Sequence, residues 1–321
     1  MQLTDRLRRN RRTEAIRSLV REVDLRPTDL IAPFFVTSGV RESIPSLPGV
    51  DRLPIDDLLR EVEWLHRRGV CGVILFPVIP REQRSDNAEE AWNEEGLLPT
   101  AVRTLKAALP NLAVFTDVAL DPYSSHGHDG LTSSTGEILN DETVEALIAM
   151  SLTHARAGVD FVAPSDMMDG RVGAIRNALD QEGFIHTGIL AYSAKYASSL
   201  YGPFRDALGT VLAFGDKKSY QMDPANCREA LLEAALDEAE GADLLMVKPA
   251  TFYLDVIAKL RLRTERPIAA YHVSGEYAMV MAAHQRGWLD AHHVFREALL
   301  SIKRAGADLI ISYACKAVLP Q

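Results

Sequence analysis

A chain of 321 residues, 47% hydrophobic and 25% charged, can bury a large core as one α/β barrel or as two smaller domains. A net charge of −9 argues against a broad nucleic-acid surface, and no apolar run reaches the ~20 residues that a membrane span needs. The amino terminus lacks the apolar segment of a secretory leader, and Cys71, Cys227 and Cys315 form no C-x-x-C pair. Neither a disulfide framework nor a cysteine zinc site is signalled, so a cytoplasmic location is expected.

Residues 1–28 read as an arm. Its basic cluster RLRRNRR, Arg6 to Arg12, suits a solvated segment, a subunit contact or an anion site. Residues 29–321 read as a barrel. Eight strand-like runs follow in order: LIAPFFV, GVILFPV, LAVFTDVAL, DFVAPSD, GILAY, LLMVKP, IAAYHVS and LIISYA. Helical patterns separate most of them. Asn140 is expected to cap one helix, with Asp141 and Glu142 in its first turn and Val144, Leu147, Ile148 and Leu152 on its apolar face. Pro224 to Glu240 predicts another.

Four joins share one plan, in which a helical pattern turns on Gly69, Gly158, Gly241 or Gly306 and enters an apolar strand. Glycine past a helix end accepts the left-handed backbone that closes it. Continuous apolar strands after such joins belong to parallel sheets covered by helices. Eight strand–helix units in this length match a (β/α)8 TIM barrel. An open doubly wound sheet is the alternative, but no G-x-G-x-x-G or P-loop motif supports nucleotide binding.

A TIM barrel carries its chemistry at the C-terminal ends of its strands. Those ends hold Asp117, Ser165, Asp166, Lys195, Lys248, Ser274 and Tyr313. Lys195 and Lys248 lie in or at the end of apolar runs, where an ammonium is costly to desolvate. Such a lysine finds a partner, for example Asp117 or Asp166, or loses its proton and becomes a nucleophile towards carbonyl carbon. Lys248, between Val247 and Pro249, is the stronger candidate, and a nearby Lys195 would depress its pKa further.

The segment TDVALDPYSSHGHDG places Asp117, Asp121, His126, His128 and Asp129 in one loop, which suits either a metal or a hydrogen-bonded turn. The long stretch from Tyr201 to Pro224 carries Arg205, Lys217, Lys218 and Gln221 and suits a lid that binds a carboxylate.

The motifs TDVALDPYSSHGHDG, APSDMMDGR, YSAKYASSLYGPFRDA, GDKKSYQMDPAN, GADLLMVKPA and YHVSGEYAM closely resemble the porphobilinogen synthase, or 5-aminolevulinate dehydratase, family. The resemblance runs in order over nearly the whole chain. It implies a TIM barrel with an N-terminal arm, homo-octamers, and condensation of two 5-aminolevulinate molecules to porphobilinogen with loss of two waters. It places the principal Schiff-base lysine on Lys248 and the second on Lys195. By the same resemblance, Ser274 and Tyr313 match the binders of one substrate carboxylate. Arg205, Lys217 and Gln221 match the lid residues that hold the other, and Asp117 and Ser165 line the site. Family members often carry arginine where Lys217 stands.

The departure from the family pattern is the metal loop. Zinc-dependent relatives have three cysteines where this chain has Ala119, Asp121 and Asp129. Hard oxygen ligands, one fewer in number, do not suit zinc, so no catalytic zinc is expected. Asp121 and Asp129 are left for weak magnesium or monovalent-cation binding, or for water and the substrate amine. The resemblance also places an allosteric magnesium site on Glu233, supported by Asp169 and by Arg9 or Arg12 of a neighbouring arm; an ordinary acidic helix face with Glu229 and Asp237 is the alternative. Two rival functions remain at this point: a one-lysine Schiff-base aldolase, and a non-catalytic binding barrel.

Overall fold

The computed structural model describes residues 4–319. The described residues form ten strands: β1 Leu30–Thr37, β2 Glu42–Ser43, β3 Asp51–Leu53, β4 Gly72–Val78, β5 Ala113–Val118, β6 Phe161–Pro164, β7 Gly188–Lys195, β8 Leu244–Lys248, β9 Ile268–His272 and β10 Leu309–Ser312. β1 and β4 through β10 pair in parallel and in order, and β10 returns to β1 with Leu30 opposite Ile310. The closed eight-strand barrel is the expected (β/α)8 fold, and all eight strand-like runs are found in it. β2 and β3 form a small antiparallel hairpin on the outer end of β1.

The helices are α1 Glu14–Leu19, α2 Ile55–His66, α3 Leu97–Ala108, α4 Asn140–Arg156, α5 Arg171–Gln181, α6 Gly202–Leu208, α7 Arg228–Ala239, α8 Leu254–Arg261, α9 Ser274–Gln285, α10 Ala291–Ala305 and α11 Cys315–Val318. None among the described residues is long and apolar enough to cross a membrane. The join before β10 shows why the repeated glycine is there. Gly306 has φ +119°, and a Cβ on it would meet the Arg261 side chain at 2.9 Å. Gly69, Gly158 and Gly241 also have positive φ.

Two helix boundaries differ from expectation. Leu139, not Asn140, is the N-cap of α4. Asn140 instead accepts the Asp169 N–H at 2.8 Å and donates to the Asp169 carbonyl at 3.2 Å, so tertiary bonding has taken the side chain away from its own helix end. Pro224 to Asn226 form a turn closed by the Asp223 carboxylate, and α7 starts only at Arg228. The α4 apolar face is broader than Val144 and Leu147, because Met150, Ser151, Thr153 and His154 are buried too, while Ile148 and Leu152 are half-buried.

The described part of the arm contains α1 and a preceding turn of 3-10 helix, neither with a buried residue. Arg6 to Arg12 are all exposed. Asp24 reaches Arg296 at 3.4 Å where the arm meets the barrel.

Candidate active site

Strand pairing brings the two lysines together. Lys195 ends β7, Lys248 ends β8, and they are direct register partners. Parallel neighbours at equal height project side chains on the same side, so both amines enter the barrel mouth. Both are buried, and Tyr192 lies beside each: its ring centre is 4.9 Å from Lys248 Nζ and 6.0 Å from Lys195 Nζ.

Lys248 sits in an aromatic box. Tyr271, Tyr192, Tyr201 and Phe204 have ring centres 4.8, 4.9, 5.2 and 5.2 Å from its Nζ. Among the described residues no carboxylate forms an ion pair with it. Burial first, and the positive charge of Lys195 second, push its pKa down to about 7, against the opposing pull of Asp117, Asp129 and Asp121. A substantial fraction of Lys248 is therefore neutral amine near pH 7.

Lys195 sits among oxygens. Its Nζ is 3.0 Å from Asp129 Oδ2 and donates to the Ser165 carbonyl. The other Asp129 oxygen accepts from Lys217, whose Nζ is also 3.2 Å from Asp121 Oδ2. Gln221 donates to Asp129 Oδ2 at 3.2 Å. Burial alone would raise the Asp129 pKa, but Lys195 and Lys217 outweigh it and hold the carboxyl far below the usual carboxylate range. Burial works against the charge on Lys217, yet Asp121 and Asp129 raise its pKa to about 12. Two lysines, two aspartates and a glutamine thus form one buried ionic lattice.

Asp117, from β5, is buried across the mouth. Burial, helped by the charge of Asp121, pushes its carboxyl up to about 7, while Lys248 and Lys195 pull the other way. Its Oδ1 is unsatisfied among the described residues. Ser165 is buried beside it. Asp166, next in the chain, does not join the lysines. Its Oδ1 accepts the Met168 N–H at 2.7 Å, and Arg171 Nε lies 3.7 Å from its Oδ2, in a buried cluster with Asp237.

Ser274 and Tyr313 lie on the Lys248 side. Ser274 Oγ donates to the Leu200 carbonyl at 3.2 Å and accepts the Phe204 N–H at 3.1 Å, and the Tyr313 hydroxyl is 3.0 Å from that of Tyr271. Arg205, on α6, makes no ion pair among the described residues and faces an open cleft of about 560 Å³ that Lys217, Lys218 and Gln221 also line. The root of this lid is fixed. Arg52 donates to the Asp206 and Ala207 carbonyls at 2.7 Å each, and Arg84 to those of Leu208 and Gly209 at 3.0 and 3.1 Å. These guanidinium groups bind the carbonyls where α6 ends, one of which, that of Asp206, also accepts the Gly209 N–H at 3.1 Å.

The loop histidines are built into the lid rather than aimed at the amines. His128 uses both ring nitrogens, 3.1 Å from the Tyr220 hydroxyl and 3.1 Å from the Phe214 carbonyl. Glu233, on α7, is half-buried and lines a separate cavity of about 540 Å³ with Asn140, Asp169 and Glu229. Burial raises its pKa; Arg171 opposes this, and Asp237, Asp169 and Glu229 add to it. No cluster of three metal-ligating side chains occurs among the described residues.

The sequence did not single out the aromatic box. Tyr201 and Phe204 were visible only as part of a glycine-rich loop, and only the fold shows that they cover Lys248. Tyr192 was hidden by strand alternation, since residues three apart in a regular strand face opposite sides.

A closed α/β barrel with two neighbouring amines in one dry mouth, one of them poised near neutrality, defines a carbonyl-condensing enzyme of the Schiff-base class. The family model for delta-aminolevulinic acid dehydratase matches residues 4–320, and the chain belongs to that family, lyases of porphyrin biosynthesis. It is 54% identical over 319 residues to delta-aminolevulinic acid dehydratase of Chlamydia pneumoniae, covering 99% of this chain and 96% of the relative. It is 53% identical to the chloroplastic enzyme of Selaginella martensii, covering 98% of this chain and 76% of that one. The crystal structure of the Toxoplasma gondii ME49 enzyme in complex with the reaction product porphobilinogen superposes with a TM-score of 0.96 at 52% identity, covering 98% of this chain and 90% of the other. An aldolase and a non-catalytic barrel are no longer competitive readings.

Proposed function

We propose that the chain condenses two molecules of 5-aminolevulinate to porphobilinogen and two waters, with Lys248 and Lys195 as the imine-forming amines. The observation that carries this reading is the pairing of Lys195 with Lys248 in one buried mouth. Lys248, neutral in its aromatic box, adds to the first ketone. The resulting iminium is an electron sink that acidifies the adjacent carbon or invites attack by the other substrate's amine. Lys195 takes the second ketone once a cation other than its own ammonium, such as that of the substrate, occupies Asp129. One C–C and one C–N bond form, and each former carbonyl oxygen leaves as water.

Ser274 and Tyr313 hold the carboxylate of the substrate on Lys248. Arg205, Lys217 and Gln221 hold that of the other once Lys217 and Gln221, which here bond Asp129, turn to it, with Lys217 a point charge where an arginine would give a fork. Asp117 and Ser165 line the reacting centre.

No catalytic zinc is assigned to Asp121 and Asp129. They are two hard carboxylates, and the Lys217 ammonium already lies between them. A monovalent or weakly held divalent cation would have to displace that lysine. Magnesium, which keeps most of its own waters, suits the acidic cavity at Glu233 better, with Asp169 and an arm arginine, Arg9 or Arg12, in outer positions. Such an ion would act on assembly. The arm's exposed apolar groups, Leu19 at 84% and Val20 at 51% exposure, suit docking on another copy, and a homo-octamer is the proposed assembly. The three unpaired cysteines agree with a cytoplasmic location.

The decisive assay is pyrrole formation from 5-aminolevulinate after strong chelation, then with magnesium or zinc restored. Product without zinc supports the assignment. Strict rescue by zinc alone would overturn the metal assignment, and no pyrrole under any condition would overturn the function.

A further inference from the structure

β7 is not a regular strand. Ala191 pairs with Leu245 and Ala194 with Val247, so two residues, Tyr192 and Ser193, stand opposite the single residue Met246. This is a β-bulge, and it resets the pleat by one residue. Without it, Tyr192 and Lys195 would face opposite sides of the barrel wall. With it, Tyr192 enters the mouth one layer beneath the amines and is, among the described residues, the one aromatic ring within 6.0 Å of both. The bulge is braced from outside by the buried Arg171, whose Nη2 donates to the Tyr192 carbonyl at 3.4 Å.

The Tyr192 hydroxyl is fully buried and unsatisfied among the described residues. The Asp117 carboxyl lies close enough to act on it through a side-chain hydrogen bond, but this contact is too loose to satisfy either the Tyr192 hydroxyl or Asp117 Oδ1 among the described residues. Leaving a buried polar group unsatisfied costs about 1–3 kcal/mol. Two such groups side by side, next to a nucleophilic amine, are placed for a third polar atom that arrives with a ligand.

We propose that Tyr192 is a catalytic residue of the imine-forming step at Lys248, delivering to the departing oxygen a proton that Asp117 replaces. This rests on the dehydratase reading above. Lys248 Nζ adds to the ketone carbon, the carbonyl π pair moves to oxygen, and one proton passes from nitrogen to that oxygen to give the carbinolamine. The Tyr192 O–H then protonates the hydroxyl. The C–O bond breaks with its electron pair leaving as water, while the nitrogen lone pair closes the C=N bond. The Asp117 carboxyl returns a proton to the Tyr192 oxygen and becomes a carboxylate facing the new iminium. The net transfer is one proton from Asp117 to the leaving water.

The test is the rate of borohydride-trapped adduct formation at Lys248 with 5-aminolevulinate, read by peptide mass, for the full-length parent, Tyr192→Phe, Asp117→Asn and the double variant. Tyr192→Phe is expected to slow trapping by about 10²-fold or more, the range for loss of general acid catalysis. Its KM should stay within about threefold of the parent and its melting temperature should change little, because the one contact of the hydroxyl, with Asp117, is too loose to satisfy either group. The double variant should be no slower than the slower single one, since both act on one proton. Trapping by Tyr192→Phe within about threefold of the parent, or losses that multiply in the double variant, would overturn the assignment. A parent that forms no Lys248 adduct would overturn the dehydratase reading along with it, so the two failures are distinguishable.

Discussion

The two halves of the barrel mouth hold the same functional group in opposite surroundings. Among the described residues, Lys248 has four aromatic rings and no paired carboxylate around it; around Lys195 are Asp129, the Ser165 carbonyl and, one bond further, Lys217. Desolvation without a partner favours the neutral amine, whereas the Lys195 amine is held by a carboxylate and a backbone carbonyl. Strand register sets the amines side by side, and the side chains behind them divide the labour. The charged half also serves the dry half, because the positive charge of Lys195 is the second-largest cause of the lowered Lys248 pKa.

The largest test of this division removes the nucleophile. Lys248→Met should bring pyrrole formation below detection and abolish the borohydride adduct, while the barrel still folds because the aromatic box accepts a thioether. Retained turnover would mean that Lys195 alone suffices.

Breaking the other half should act on stability first. Asp129→Asn leaves Lys195 and Lys217 buried without their shared carboxylate, a loss expected to cost about 3–5 kcal/mol in chemical denaturation. Because Asp129 helps retain the proton on Lys248, the same change should lower the Lys248 pKa further. An unchanged denaturation midpoint would show that the lattice is not a stabilising unit.

The pH dependence sharpens the comparison. Lys248 is the competent neutral amine above about 7, and Asp117 is the competent protonated acid below about 7. Adduct formation should therefore follow a narrow bell centred near pH 7. Asp117→Asn should lose the alkaline fall and move the acid limb to lower pH, because the Asp117 charge helps Lys248 keep its proton; a parent profile that rises steadily to pH 10 would contradict both environments.

The smallest expected effect lies farthest from the mouth. Glu233→Ala should remove a severalfold magnesium response of activity and assembly size, read by kinetics and gel filtration at matched ion concentrations. An unchanged response would return Glu233 to an ordinary acidic helix face.

The barrel was legible because its signals are local: apolar runs, and glycines at Gly69, Gly158, Gly241 and Gly306 where helices close. The lysine pair was legible because charge inside apolar strands is conspicuous. What escaped depends on contacts between distant segments. Asn140 looks like a cap until the Asp169 backbone competes for its side chain. Asp166 looks equivalent to Asp117 until Arg171 claims it. Lys217 looks like a free lid charge, yet it reaches across to Asp129. The bulge that turns Tyr192 inward leaves no mark in GILAYSAK, because register belongs to a pair of strands rather than to one.

The most direct measurement is a pH titration of borohydride trapping with 5-aminolevulinate, with the adducts on Lys248 and Lys195 quantified separately. The account predicts that Lys248 labels first, with its acid limb centred near pH 7. Exclusive early labelling of Lys195, or a Lys248 midpoint near the ordinary lysine value of about 10.4, would contradict it.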